Sequence, residues 1–242
     1  MVTDYAGGSN NLIGGTAAGA GNVIANNGLD GISATGSVDV TILGNTILNN
    51  TAAGIDLGDD DVTANDAGDI DTGANNQQNF PVITSAGLGG TYLTVSGTLD
   101  TDGLNTQYRI EFFSNAAGTQ DATHGEGSVY LGSTTVTTDG SGNAVFSGIQ
   151  FSGATLSAGD YVTATATRIV NSAQVGVDDQ QAYGATSEFS ANLVITDVNV
   201  APVAVDDALM TTEDTTNVMI DVQINDNDVD GDPLTTSVIS GP

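Results

Sequence analysis

Four aspartates alternate through the stretch NDNDVDGDP at residues 225–233: Asp226, Asp228, Asp230 and Asp232. Carboxylates placed so closely repel one another, and no Lys or Arg follows Arg168 to neutralise them. Alternating Asp around a tight turn at Gly231 can converge several oxygens on one hard cation, whose charge reverses that repulsion. A solvated polar turn is the competing explanation. A second acidic stretch, DDDVTANDAGDIDTG at 59–73, gathers Asp59, Asp61, Asn65, Asp66, Asp69 and Asp71 in one glycine-containing loop. Ca2+ takes about six to eight oxygens from flexible loops of this kind, and a bound ion there would also seal whatever strand edges precede the loop. Here too the alternative is an acidic loop facing water.

The bulk composition agrees with cation chemistry and excludes other classes. Of 242 residues 30 are acidic, and only two, Arg109 and Arg168, are basic, giving a formal charge of −28. Affinity for phosphate rests on Lys and Arg, so nucleic acid and anionic membrane surfaces are excluded as partners. Such a charge works against a compact state unless cations screen or bind it. Disorder is not expected, because 39% of the residues are hydrophobic and many are Val and Ile in alternation. The chain has no Cys, so neither disulfides nor thiolate metal sites contribute. MVTDYAGGSNN has neither the basic nor the apolar region of a signal peptide, and no apolar run approaches the roughly 18 residues of a membrane span. Both ends read as cuts through longer modules.

The elements that must position these carboxylates begin with a repeat. GNVIANNGLDGISA at 21–34 aligns with GNTILNNTAAGIDL at 44–57, pairing Gly21 with Gly44, Asn22 with Asn45, Ile24 with Ile47, Asn26 with Asn49, Asn27 with Asn50, Gly31 with Gly54 and Ile32 with Ile55, always 23 apart. NNLIGG at 10–15 matches TILGN at 41–45 if TAAGAG is an insertion. Short apolar stretches with Asn and Gly at the corners predict a parallel solenoid, with Ile stacked inward and Asn stacked as a ladder, Asn26 over Asn49.

These residues resemble the right-handed parallel β-helix repeats of large secreted or surface-anchored bacterial proteins. The resemblance covers about the first 80 residues. The wider class includes pectin lyases and polygalacturonases, which raises the question of catalysis. β-Elimination from a uronate needs an Arg or Lys base, and both arginines lie outside this region. Asp56, Asp59, Asp60 and Asp61 offer carboxyls for an inverting hydrolase, which needs two about 6.5–9.5 Å apart, but no basic residue stands near them to orient a uronate. His124, the single histidine, has no recognisable nucleophile partner and reads as a loop residue. No enzymatic activity is expected.

A second domain follows at 80–196. Strand-like runs at 81–86, 91–100, 106–115, 128–138, 143–151, 160–169 and 186–195 are separated by turns such as TDG and DGSGN. The count and spacing predict an antiparallel β-sandwich of immunoglobulin or fibronectin type. Tyr108, Ile110 and Phe112 alternate toward its core, leaving Arg109 to solvent. The Thr row TATAT at 163–167 is ordinary strand propensity.

The segment 197–242, beginning within TDVNVAP, resembles the linker and opening of the cadherin-like tandem modules of bacterial adhesins. That family joins modules with a D-x-N-D-x-x-P linker and places a D-x-D-x-G loop about thirty residues on. Asp197 and Asn199 match the linker; Asp228, Asp230 and Gly231 match the loop; Glu213 stands where an early module Glu would reach the same ions. Val200 replaces the second linker Asp, no D-R-E segment precedes it, and the module is too short for seven strands. The resemblance implies an all-β, calcium-binding structural or adhesive fragment, secreted or on the cell surface, with calcium and an extracellular polysaccharide or another surface protein as partners. The alternative is an accessory part of a carbohydrate-active β-helix protein.

Overall fold

The structure is a computed structural model. It describes residues 1–5, 10–90, 92–119, 124–152, 155–216, 219–230 and 232–237. Gly231, expected at the turn of the acidic loop, lies outside the described residues.

The fold is all-β. The first seven strands are β1 (Val2–Tyr5), β2 (Leu12–Gly14), β3 (Val23–Ala25), β4 (Ile32–Thr35), β5 (Thr41–Leu43), β6 (Thr46–Leu48) and β7 (Ile55–Leu57). They pair with one another in parallel, as β1-β4-β7, β2-β5 and β3-β6. The chain thus visits three sheet positions in turn (β2, β3, β4) and then the same three again (β5, β6, β7). Ile24 pairs with Ile47 and Ile32 with Ile55, in the 23-residue register that the repeat predicts. Leu12 pairs with Thr41 across 29 residues; the six extra residues, 16–21, are the expected insertion TAAGAG. Ile24, Ile32, Ile42, Ile47, Ile55 and Leu57 share one buried cluster between the sheets.

Asparagine holds the corners, and two of the three equivalent Asn pairs bond as the expected ladder. Asn26 and Asn49 both take the left-handed conformation, φ 58° and 56°, at the ends of β3 and β6, which Asn tolerates better than other residues with side chains. The ladders form at their neighbours. Asn45 Oδ1 accepts from both the backbone N and the Nδ2 of Asn22, at 2.9 Å each, and Asn50 Oδ1 accepts the same pair from Asn27 at 3.1 and 2.7 Å. Gly44, φ 62°, turns where a Cβ would come within 2.6 Å of the Gly15 carbonyl oxygen.

Nine further strands follow among the described residues: β8 (Val82–Gly89), β9 (Tyr92–Asp100), β10 (Gln107–Asn115), β11 (Val129–Thr137), β12 (Asn143–Ser152), β13 (Tyr161–Ile169), β14 (Tyr183–Thr186), β15 (Leu193–Val194) and β16 (Thr196–Asp197). One sheet runs β12-β9-β8-β16; the other runs β11-β10-β13-β14, with β15 also on β13. All pairings are antiparallel except β16 with β8. A single core joins the two sheets, with Leu93, Val95 and Phe146 from one meeting Tyr108, Ile110, Phe112 and Val162 from the other. The Phe112 ring lies 5.5 Å from that of Phe146 and 5.0 Å from that of Phe151.

Six of the seven expected runs are strands. The seventh, 186–195, breaks between β14 and β15 for a definable reason: hydroxyls substitute for the ladder there. Ala166 N donates to Ser187 Oγ and Ala164 N to Ser190 Oγ, both at 3.0 Å. The one described α-helix, α1 (Asp179–Ala182), is a single turn capped by the Asp178 side chain. No helix among the described residues is long and apolar enough to cross a membrane.

The outer face of the β10–β13 sheet is covered by the N-terminal strands. Arg109 is therefore not turned to solvent as expected. It sits 2.9 Å from the buried Glu111, and Phe113 on the same face joins the Ile cluster. The Thr row is likewise buried, with Thr163 bonded to the Ser190 carbonyl and Thr167 to Thr186.

The end of the parallel stack is closed by the sandwich, where the acidic loop had been expected to close it. The last turn of chain leaves backbone amides without strand partners. Ile42 N donates to Thr186 Oγ1, Gly44 N to Glu111, Ile47 N to the Gly127 carbonyl, Asn50 N to Glu126 and Leu57 N to Glu188, all at 2.8–3.0 Å. Three buried glutamates thus cap what would be an open edge.

The described residues beyond β16 have little regular structure. Val198 N donates to the Leu88 carbonyl, and Val203 bridges Asn227 in an isolated antiparallel pair. Met210, Met219 and Ile224 are exposed, and no described residue after Ile195 joins a buried hydrophobic cluster.

Candidate metal centres

The residues singled out at the C-terminal end divide into three groups. Asp197, Asn199, Asp230 and Asp232 line one cleft of about 340 Å3 together with Gly90. Strand β16 fixes the first pair, because Asp197 pairs with Leu88 of β8. Asp230 brings in the second: its carboxylate accepts from Gly90 N at 2.9 Å and from Val200 N at 2.5 Å, tying the acidic loop to the β8–β9 turn. Asp228 is not among the residues lining the cleft and organises the loop, accepting from Asp230 N at 2.8 Å and Asp232 N at 3.3 Å. Asp226 accepts from Val205 N at 2.8 Å. Glu213 is exposed in a turn and does not line the cleft. The side chains of Asp197, Asn199, Asp230 and Asp232 each carry oxygen ligands, a set that suits a hard cation. Asp230 uses one lone pair on each oxygen for the amides and keeps others.

The 59–73 loop splits in two. Asp69 serves the junction with the sandwich, accepting from Asn79 N at 2.9 Å and Asp102 N at 3.4 Å, while Asp66 accepts within its own loop from Ile70 N at 3.1 Å. Burial pushes the Asp69 carboxyl up to about 6 against the opposing pull of those two amides. Asp71 is half-buried and Asp61 exposed. Asp59 turns the other way, toward two residues that the sequence reading did not assign to metal.

Those two are Asp30 and Asp56. The carboxylate oxygens of Asp30, Asp56 and Asp59 lie within 4.8 Å of one another, and Asp30 and Asp56 are only 5% and 3% exposed. This buried acidic group can hold a metal ion. Asp56 sits in β7 and accepts from the backbone N of Asp59, Asp60 and Asp61 at 2.8, 3.3 and 3.2 Å. Burial raises its pKa, those amides oppose the rise, and the Asp30 charge adds to it. The repeat gives no signal for this pair, because its register sets Asp56 opposite Ser33, three residues beyond Asp30.

A separate cavity of about 450 Å3 between the stack and the sandwich is lined by Thr51, Asp61, His124 and Phe189, among others. The His124 ring packs edge-on against Phe80 at 5.2 Å, and burial lowers its pKa. One carboxylate and one imidazole face this space, which is short of the two-carboxyl arrangement of glycoside hydrolysis.

No protein-family model matches the chain.

Proposed function

We propose that this chain is a calcium-binding structural segment of a large secreted or cell-surface bacterial protein, acting in spacing or adhesion and not in catalysis. In this reading the N-terminal strands are a short right-handed parallel β-helix, the middle unit is an immunoglobulin- or fibronectin-like sandwich, and residues from 197 onward are the linker and opening of a cadherin-like module. One observation carries it: Asp197 and Asn199, thirty-odd positions from Asp230 and Asp232, line the same cleft at the end of the sandwich. An ion held there stiffens the exit from β16, which otherwise rests on few hydrogen bonds.

Extracellular calcium modules bind with Kd of about 10⁻⁴ to 10⁻³ M. At about 100 times Kd, a site present only in the folded state adds about 2.7 kcal/mol. Calorimetric titration of calcium-stripped protein, with limited proteolysis in calcium and in chelator, tests the reading. Calcium is expected to slow cleavage within 198–237, and Asp197→Asn with Asp232→Asn to remove one binding event and that protection. Equal calcium stoichiometry in wild type and the double variant would sink it.

A second reading, an accessory part of a carbohydrate-active protein, is favoured by the cavity that Asp61 and His124 share. Release of reducing ends or unsaturated products from polyuronates, abolished by Asp61→Asn, would support it over the first.

A further inference from the structure

Strand β7 ends the parallel stack and has a strand partner on one side only, β4. In a parallel pair the N–H and C=O of one residue face one neighbour, and those of the next residue face the other side. Ile32 N donates to the Gly54 carbonyl at 3.0 Å, which sets the phase. Within the β4–β7 register Asp56 then turns its backbone groups to β4, while Ile55 and Leu57 turn theirs toward the sandwich. Leu57 N meets Glu188 there. Ile55 is 2% exposed, and its outward N–H and C=O take no hydrogen bond among the described residues. Buried backbone groups are normally paired. What adjoins Ile55 at this gap in the cap is the cavity of about 450 Å3 that it lines with Thr51, Ala53, Asp61, His124 and Phe189.

From this gap we infer that the cavity binds the acetamido group of a neutral N-acetylated sugar. Its volume falls within the range of about 300–1,000 Å3 of small-molecule sites. The free groups are one donor and one acceptor on a single residue, which match one secondary amide: the ligand carbonyl accepts from Ile55 N, and the ligand N–H donates to the Ile55 carbonyl. An extended peptide would need such pairs on alternate residues of β7, and the next N–H along, that of Leu57, is already taken by Glu188. The cavity therefore suits one amide and not an added strand. Ala53 and Phe189 supply apolar wall for the acetyl methyl, and Thr51 and Asp61 supply oxygens for ring hydroxyls. Neither arginine lines the cavity, and burial holds His124 toward its neutral form. A uronate would thus face Asp61 with no cation to offset the repulsion, which selects a neutral sugar. The inference concerns binding without turnover. No residue of the cavity lines the junction cleft, so it stands or falls separately from the calcium reading.

The test titrates the full chain with N-acetylglucosamine, glucose and glucuronate, read by calorimetry and by residue-resolved amide hydrogen exchange. Without sugar, the Ile55 amide is expected to exchange faster than that of Asp56, which is laddered to β4. N-acetylglucosamine is expected to slow exchange at Ile55 and to bind about tenfold more tightly than glucose, as two added hydrogen bonds imply. Glucuronate is expected to bind no better than glucose. Ala53→Leu, which fills the cavity at a half-buried position, is expected to lose N-acetylglucosamine binding while keeping the wild-type calcium stoichiometry. Equal binding of N-acetylglucosamine and glucose by wild type, or Ile55 exchange unmoved at saturating N-acetylglucosamine, would overturn the inference whether or not the variant folds. So would wild-type affinity in a folded Ala53→Leu protein.

Discussion

Burial decides the behaviour of the acidic side chains one by one. Glu188 is 2% exposed, with its two oxygens taken by Leu57 N and Thr63 N. Burial pushes its carboxyl up to about 8, with the Asp56 and Asp60 charges adding to the rise and the two amides opposing it. The ordinary value in an unfolded chain is about 4.3. Between these limits the folded chain keeps a proton that the unfolded chain releases. The stabilising contribution is therefore whole below about pH 4 and is lost as pH rises through about 8. Glu188→Gln has no proton to lose, so from pH 5 to pH 8 in chelator its urea midpoint should fall less than that of wild type. Parallel pH dependences would show that Glu188 does not titrate in this window. The alternation Tyr108, Ile110, Phe112 was enough to place Arg109 on the opposite face of β10. It could not say that this face is covered, because the cover comes from residues 40–57 and the sequence carries no mark of which units touch. Glu111, Glu126 and Glu188 were invisible for the same reason.

The strands show where local pattern suffices. Ile24 against Ile47 and Ile32 against Ile55 follow directly from the repeat, since a parallel stack must bring equivalent positions into register. The sandwich strands follow from alternation and turn residues. Of the three equivalent Asn pairs, Asn22–Asn45 and Asn27–Asn50 form the ladder while Asn26 and Asn49 turn the chain, although all three share one spacing. Sequence alone does not separate an Asn that turns the chain from an Asn that stacks. Asn50 is the more demanding of the two buried ladder residues. Its Oδ1 takes two bonds from Asn27, and its Nδ2 gives bonds to Ile24 O at 3.3 Å and Glu126 Oε1 at 2.6 Å. Asn50→Asp replaces that donor with an acceptor facing two acceptors. Leaving such buried groups unmatched costs about 1–3 kcal/mol each, so a loss of about 3 kcal/mol is expected, read as a lower midpoint in urea. Asn49→Gly, at a left-handed corner, should cost only a few tenths of that. A similar cost for both would show that the ladder does not hold the stack.

At the scale of the molecule, charge and architecture pull in different directions. A formal charge of −28 spread over 242 residues opposes compaction, and the 198–237 segment places much of it on exposed chain with no apolar core to resist it. Added salt screens charges over about 10 Å at 0.1 M and about 3 Å at 1 M. The thermal midpoint should therefore rise with NaCl in chelator, and the part of that rise due to the C-terminal segment should vanish when 198–242 is deleted. A midpoint indifferent to salt would mean that the charges are already far enough apart not to interact. The acidic clusters were legible as cation chemistry from spacing alone. Which carboxylates meet was not, because Asp197 meets Asp232 only through the placement of β16, and Asp30 meets Asp56 three residues out of the β4–β7 register.

The glutamate caps on the last turn of the stack also impose an order of events on a chain that emerges N-terminus first. The acceptors for Gly44, Asn50, Leu57 and Ile42 lie 67, 76, 131 and 144 residues further along. Contacts of such long range close slowly and late. Until Glu188 has been synthesised and β14 has docked, the β5–β7 edge is an unpaired template able to pair with any other extended chain. Folding of this protein is thus bounded by its slowest-arriving residues, and slow translation between residues 57 and 186 would lengthen the interval in which nascent chains can stick to one another.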